Sequence, residues 1–155
     1  MIDAEQVGQA LNHVLGNTCR MARTAKSYEW NARGPGCRPA AEEFREQACE
    51  MHGSIEPIAF HIMGLGWPPV LDYTDQVVAL NPPTIEAIPS LLDMIRELSA
   101  GHEQSGISVL AVLDVASEAG EHATMTLMSA RIDAHRRHRH NLLRLVESLG
   151  MQNEA

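Results

Sequence analysis

The sequence predicts an all-α protein: a bundle of four long helices with a short helix in the crossover between helices two and three. Apolar residues make up 45% of the chain and aromatic residues only 4%, so the apolar share is mostly Leu, Ala, Ile, Val and Met. As a set these residues favour helices over sheets, and they recur at helical spacing between clusters of Gly and Pro. The length of 155 residues predicts one domain, residues 1–155.

The first two helices are predicted from an apolar stripe and the break that follows it. Apolar residues keep helical spacing from about Ala4 to Trp30, and residues 31–39 then contain two Gly and two Pro. The second helix is expected from about Pro39, a residue suited to a first helical turn, to Leu65. Pro57 lies inside it, removes an amide donor, and therefore predicts a kink between Gly53 and itself.

The other two helices are predicted after a long connection, in which we expect a short helical piece over about Asp72–Leu80. The third long helix starts at about Ser90, which with Asp93 forms a start similar to a capping box, and ends near Ala119. The fourth runs from Glu121 to about Leu149, and a glycine follows each of these two helices. Two helix pairs joined by one long crossover are typical of a known class of four-helix bundle.

Charge and cysteine content limit the partners and the compartment. The formal net charge is −8 and Lys26 is the single lysine, so phosphate backbones would be repelled and we expect no DNA binding. The short basic run at residues 136–139 is the only opposing feature. Three cysteines without a CxxC spacing indicate a reducing compartment. Because neither an apolar run near 18 residues nor a leader pattern is found, we expect no membrane span and a cytoplasmic location.

Several motifs carry a resemblance to a known family. The segment YEWNARGP (28–35) resembles the HWN-x-x-GP signature of the Dps mini-ferritins, and LGWPP (65–69) is similar to the turn after their second helix. The segments IPSLLDMIREL and ASEAGEHAT follow in register, so the resemblance covers about residues 10–149. It implies a ferritin-like four-helix bundle and a homo-oligomeric shell of twelve subunits. It also implies iron storage: Fe(II) is oxidised with peroxide or oxygen, and the ferric mineral is kept inside.

The resemblance also implies where iron would bind. In the family the oxidation site lies between two subunits and uses five ligand positions, in the first and second helices. Matched residue by residue, those positions hold Glu29, Ala41, Arg45, Glu56 and Phe60 in this sequence. Only the two glutamates can bind iron, so the usual site is altered or lost, and whether the protein is an active ferroxidase stays open.

Two hypotheses follow for the altered site. Helical spacing places Arg45, Cys49, His52 and Glu56 on one face of the second helix. His52 and Glu56, one turn apart, would chelate a metal together with Glu29 of the neighbouring subunit. Carboxylate and imidazole ligands suit Fe(II), and also Mn(II) or Zn(II). Alternatively, the guanidinium of Arg45, which cannot bind a metal, replaces it in an ion pair with the two glutamates and seals a non-enzymatic shell.

The remaining aromatic and histidine residues have weaker assignments. Trp30 matches the family tryptophan beside the iron site, where it would quench oxidising radicals or pack at the subunit contact. The run HRRHRH (135–140) has His135 and His138 one turn apart, which suits a transition metal. Because three arginines, Arg136, Arg137 and Arg139, lie beside these histidines, we expect a solvated or subunit-contacting face instead. We expect His102 to be a hydrogen-bonded structural residue and His61 to face away from the metal site.

Overall fold

The computed structural model describes residues 3–71 and 84–150, and its secondary structure in these residues is helical. The four long α-helices are α1 (Ala4–Asn31), α2 (Cys37–Gly64), α3 (Leu91–Ala119) and α4 (His122–Ser148). A 3-10 helix, Ile85–Ala87, precedes α3. The four-helix prediction is confirmed, and the helix predicted at Asp72–Leu80 lies outside the described residues.

The helices form two neighbouring pairs that pack into one bundle. α1 lies along α2 and α3 lies along α4, while α1 also packs on α3 and α2 on α4. Two apolar clusters fill the interior. One surrounds Phe44 and Met94, and the other surrounds Leu11 and Ile58. Between them, α3 and α4 contribute buried polar side chains, which include His102 and His135. The middle of this bundle is therefore polar, whereas both ends are apolar.

Local signals explain where the helices begin and end. The side chain of Asp3 accepts the backbone N–H of Gln6 in a capping box at the start of α1. Ser90 accepts the N–H of Asp93 at the start of α3, as predicted. Gly120, with φ +72°, ends α3 in the left-handed conformation that favours glycine.

The start of α2 differs slightly from the prediction because of a second glycine. The helix begins at Cys37 and not at Pro39, after Gly36 has taken a φ of +80°. A Cβ atom at Gly36 would also lie 2.7 Å from Cδ2 of Leu149, so this residue is needed both for its conformation and for close packing. α2 then continues through Pro57 to Gly64.

The LGWPP segment is fixed against α1. The side-chain amide of Asn12 donates to the carbonyl oxygen of Pro68 at 3.0 Å, and its Oδ1 accepts the N–H of Val70 at 2.7 Å. The ring of Trp67 packs directly over Gly8, where a Cβ would lie 2.8 Å from the ring. The described start of the crossover, up to Leu71, therefore lies against α1. Among the described residues, no helix combines the length and apolar character needed to cross a membrane.

Candidate functional site

The predicted metal ligands lie on the surface that α1 and α2 share. His52 and Glu56 are exposed and one turn apart on α2, and Glu29 lies partly exposed in the last turns of α1. The ammonium of Lys26 lies 2.6 Å from Oε2 of Glu29. It also lies 5.7 Å from the ring centroid of Trp30, a residue that is 73% exposed. Glu29 therefore has one cationic neighbour already, whereas His52 and Glu56 have no polar partner among the described residues and are exposed.

One subunit does not complete the predicted site. In the described ranges 3–71 and 84–150, no group of three or more His, Cys, Asp or Glu side chains is placed to hold a metal ion. The predicted site joins His52 and Glu56 to Glu29 of a second subunit, so it stays a prediction. Arg45 is also exposed on this face and has no carboxylate partner within the described part of its own chain. Both sequence hypotheses thus need a second copy.

A groove of roughly 860 Å³ runs between α1 and α2 beside these residues. Its α1 wall includes Arg20, Arg23 and Lys26, and its α2 wall includes Cys49 and His52. Among the described residues that line it none is acidic, although the whole chain has a net charge of −8. The described part of the groove beside the predicted ligands is therefore locally cationic.

The structure also contains a polar centre that the sequence did not predict. Inside the bundle, the guanidinium of Arg131 on α4 contacts both carboxylate oxygens of Glu50 on α2. Nε2 of His138 lies 2.8 Å from Oε2 of the same carboxylate. Burial would raise the pKa of Glu50, but the hydrogen bonds and positive charge of His138 and Arg131 lower it to about 2. Glu50 is therefore ionised and balances the buried arginine.

A second part of this centre is a chain of hydrogen bonds across three helices. Nδ1 of His102 lies 2.9 Å from Nδ1 of His135, and Nε2 of His102 lies 2.8 Å from Oε1 of Gln47. The amide nitrogen of Gln47 donates to Oε1 of Glu43 at 2.6 Å and to the carbonyl oxygen of His138 at 3.3 Å. His102 is thus hydrogen-bonded and structural, as predicted.

The two central imidazoles are held neutral by their surroundings. Burial, followed by the positive charge of His135 and His138, lowers the pKa of His102 to about 3. Burial, followed by Arg131 and His138, lowers the pKa of His135 to about 4. Each imidazole therefore keeps one N–H donor and one acceptor nitrogen near neutral pH.

The predicted solvated face for His135 and His138 was wrong. These two residues are 2% and 5% exposed. His135 follows the buried Arg131 by four residues and His138 follows His135 by three, so all three lie on the buried face of α4. That spacing, which continues to the buried Leu142, was the signal available in the sequence. His61 faces away from the predicted ligands, as expected, and its Nε2 lies 2.7 Å from Oγ1 of Thr124.

Comparisons with known proteins agree with this architecture. The model of the ferritin-like domain matches residues 8–151. Dps from Thermosynechococcus elongatus is 28% identical, with a TM-score of 0.80 over 96% of this chain and 93% of that chain. Dps from Staphylococcus aureus is 17% identical, with a TM-score of 0.82 over 98% of this chain and 100% of that chain.

A third solved structure belongs to another branch. The dodecameric thioferritin of Bacteroides fragilis, a bacterioferritin-related protein, is 15% identical, with a TM-score of 0.83 over 96% of this chain and 89% of that chain. This likeness and that to the Staphylococcus aureus protein concern the fold alone. No match was found among proteins of curated function. The chain belongs to the ferritin-like family, and within that family it is similar to a Dps protein.

Proposed function

We propose that this protein is an iron-storage mini-ferritin of the Dps type, which oxidises and sequesters Fe(II) in an oligomeric shell through an altered inter-subunit site. The observation that carries this proposal is the likeness to a Dps protein at 28% identity over 96% of the chain. The exposed pair His52 and Glu56 on α2 supports it, because both side chains are free to bind a shared metal with a second subunit.

Iron is the substrate and the cargo in this proposal. The carboxylates of Glu29 and Glu56 and the imidazole of His52 form a donor set that suits Fe(II), with Mn(II) and Zn(II) as competitors. Each Fe(II) ion gives one electron to peroxide or oxygen, the oxidants that the family resemblance implies. Trp30, exposed next to Glu29, would take up stray oxidising equivalents or pack against the second subunit.

The direct test is the rate of Fe(II) oxidation, followed by ferric absorbance under air or with added peroxide. We expect Glu29→Ala, His52→Ala and Glu56→Ala each to lower the rate by roughly tenfold or more, since each removes a ligand. Glu46→Ala is the matched control, because this exposed glutamate on α2 lies on a different face. Equal rates in Glu56→Ala and Glu46→Ala would contradict the proposed site.

The proposed assembly is tested separately. Light scattering coupled to size exclusion should give a closed oligomer, with twelve chains as the number that the resemblance implies. A chain that stays monomeric would contradict the shell. We also expect no gel shift with DNA at low salt, because the net charge of −8 per chain is multiplied in the shell.

A non-enzymatic shell is the second candidate function, and the position of Arg45 favours it. Its guanidinium is exposed on the same face as His52 and Glu56 and has no carboxylate partner in the described part of the chain. It is therefore available to the two glutamates of the predicted inter-subunit site, Glu29 and Glu56, in place of a metal.

The Arg45→Met variant separates the two functions. If Arg45 replaces the metal, the wild type oxidises Fe(II) at the rate of buffer, and the variant dissociates into smaller species at higher protein concentration than the wild type does. If iron binds, the wild type is fast, and Arg45→Met keeps or raises its rate because a repelling cation has been removed.

A further inference from the structure

His102 on α3 and His135 on α4 are the two most deeply buried titratable groups among the described residues. They are 1% and 2% exposed, and they lie between the two apolar clusters of the bundle. Their Nδ1 atoms are 2.9 Å apart and their ring centroids 5.2 Å apart. This contact joins α3 to α4, and the bond from His102 to Gln47 joins it to α2 as well.

The neighbouring groups allow one arrangement of protons in this chain. The amide nitrogen of Gln47 faces two oxygens, so its Oε1 must face His102. Oε1 therefore accepts a hydrogen bond from the N–H at Nε2 of His102. Nδ1 of neutral His102 is then an acceptor, and Nδ1 of His135 must donate to it. The direction of every bond from His135 through His102 and Gln47 to Glu43 is thereby fixed.

An added proton cannot be accommodated without a change in this arrangement. On Nδ1 of His102 it would set one N–H against another at 2.9 Å, which removes the hydrogen bond and leaves two buried donors facing each other. On Nε2 of His135 it would create a further cation in the same buried centre as the guanidinium of Arg131. Either change disfavours the closed bundle.

The charged groups around the pair strengthen this conclusion. Arg131 and His138 on α4 disfavour a positive charge on both imidazoles, and Glu50 on α2 is the carboxylate that favours it. Glu50 is already bound by Arg131 and His138. From α1, the side chain of Met21 packs against α3 one residue before His102. A small cavity beside the pair is lined by Glu103 on α3 and by Arg136 and Arg139 on α4, and Glu103 lies 3.6 Å from Arg139.

We propose that the His102–His135 pair is an acid-sensitive lock, which holds α2, α3 and α4 together near neutral pH and opens when acid supplies protons that the closed bundle cannot bind. The direction of the pH dependence follows from the pKa values of the two imidazoles in the unfolded chain and in the folded bundle. In the unfolded chain both imidazoles have the ordinary pKa of 6.5, whereas in the bundle the pKa values are about 3 and 4. The stability that the pair provides is complete above about pH 6.5 and is lost as the pH falls toward 4. An assembled shell of such bundles would loosen in the same range.

The first test measures the unfolding equilibrium constant by chemical denaturation between about pH 7.5 and pH 5, at one protomer concentration. Each depressed histidine adds up to one proton taken up on unfolding, which is about tenfold in the constant per pH unit. Near pH 5, each unit by which the pH falls should therefore raise the unfolding equilibrium constant of the wild type about a hundredfold more than that of the double variant His102→Gln/His135→Gln.

The matched control is His13→Gln/His122→Gln, which removes two exposed histidines. It should keep the steep dependence of the wild type. The lock is overturned if the control loses that dependence, or if the wild type and the central double variant have the same slope.

A second measurement needs no variant and so does not depend on whether the double variant folds. Hydrogen exchange at the imidazole C2 position, read by mass spectrometry, gives a titration midpoint for each histidine in the intact protein. We expect His102 and His135 to show no midpoint above about pH 5. An ordinary midpoint at either central histidine would overturn the proposal.

Discussion

Breaking the buried ion pair between Glu50 and Arg131 should lower the stability of the bundle substantially. The side chain of Arg131 is 5% exposed and that of Glu50 is 29% exposed, and the guanidinium contacts both carboxylate oxygens. Glu50→Gln leaves a buried cation without its counter-charge, which typically costs about 3–5 kcal/mol. Because Glu50 keeps some contact with solvent, we expect about 3 kcal/mol, or a fall in Tm of about 6–12 °C for a chain of this size.

The reverse change should cost less. Arg131→Met leaves Glu50 with His138 at 2.8 Å and with partial access to water, so we expect about 2 kcal/mol. The double variant Glu50→Gln/Arg131→Met removes both charges, and its cost should fall below the sum of the single costs by about 2 kcal/mol. Far-UV circular dichroism during heating and chemical denaturation, near neutral pH and at one protomer concentration, measures all four free energies of unfolding.

An exposed pair on the same bundle is the matched control. Arg139 and Glu103 lie 3.6 Å apart, with side chains 42% and 59% exposed, so solvent screens their attraction. Glu103→Gln should change the free energy of unfolding by less than about 1 kcal/mol. If Glu50→Gln has as small an effect as Glu103→Gln, or if the double variant shows no coupling, the assignment of a buried ion pair is refuted.

Two changes in α3 test the packing and capping described above by chemical denaturation. Gly101→Ala places a Cβ 2.5 Å from Sδ of Met21 and should destabilise the protein by about 1–2 kcal/mol. Gly106→Ala places its Cβ in open space and should stabilise the protein by about 0.5–1 kcal/mol. The same sign for both would contradict the packing. Ser90→Ala removes the cap of α3 and should cost about 1 kcal/mol of stability. Ser117→Ala, a change at an exposed serine near the end of that helix, should be nearly neutral. Equal costs for the two changes would contradict the cap.

Much of the fold could be predicted because its signals are local. The apolar stripes and the Gly and Pro breaks locate the four helices to within about two residues. Ser90 with Asp93 marks a helix start, and Gly120 marks a helix end, through bonds between neighbours in the chain. The start of α2 was missed by two residues, because the role of Gly36 depends on Leu149, which is distant in sequence.

The polar centre could not be predicted in this way, because its partners come from different helices. Glu50 and Arg131 are 81 residues apart, and nothing local in the sequence pairs them. His135 was assigned to a solvated face because arginines surround it, although its spacing from Arg131 and Leu142 marks a buried stripe. Residues adjacent in sequence point in different directions around a helix, so the exposed Arg136 and Arg137 do not show which way His135 points.

The polar centre inside the bundle and the predicted inter-subunit metal site differ in a way that predicts how iron binding depends on assembly. The inner centre already contains a cation, the guanidinium of Arg131, bound to Glu50, and its two central imidazoles are engaged with each other. It therefore has neither the charge nor the free donors to attract Fe(II). His52 and Glu56 are exposed and need a second subunit to complete their donor set.

Iron bound per chain should consequently fall when the protein is diluted until its subunits separate, as measured by equilibrium dialysis against Fe(II) without oxygen. Because the ligands come from two chains, occupancy should follow the fraction of assembled subunits, which light scattering reports on the same samples. His52→Ala should abolish this binding at every concentration, whereas His138→Gln, a change in the inner centre, should keep the binding of assembled chains. Occupancy that is independent of dilution, and is lost only in His138→Gln, would place the iron inside one bundle and refute the inter-subunit site.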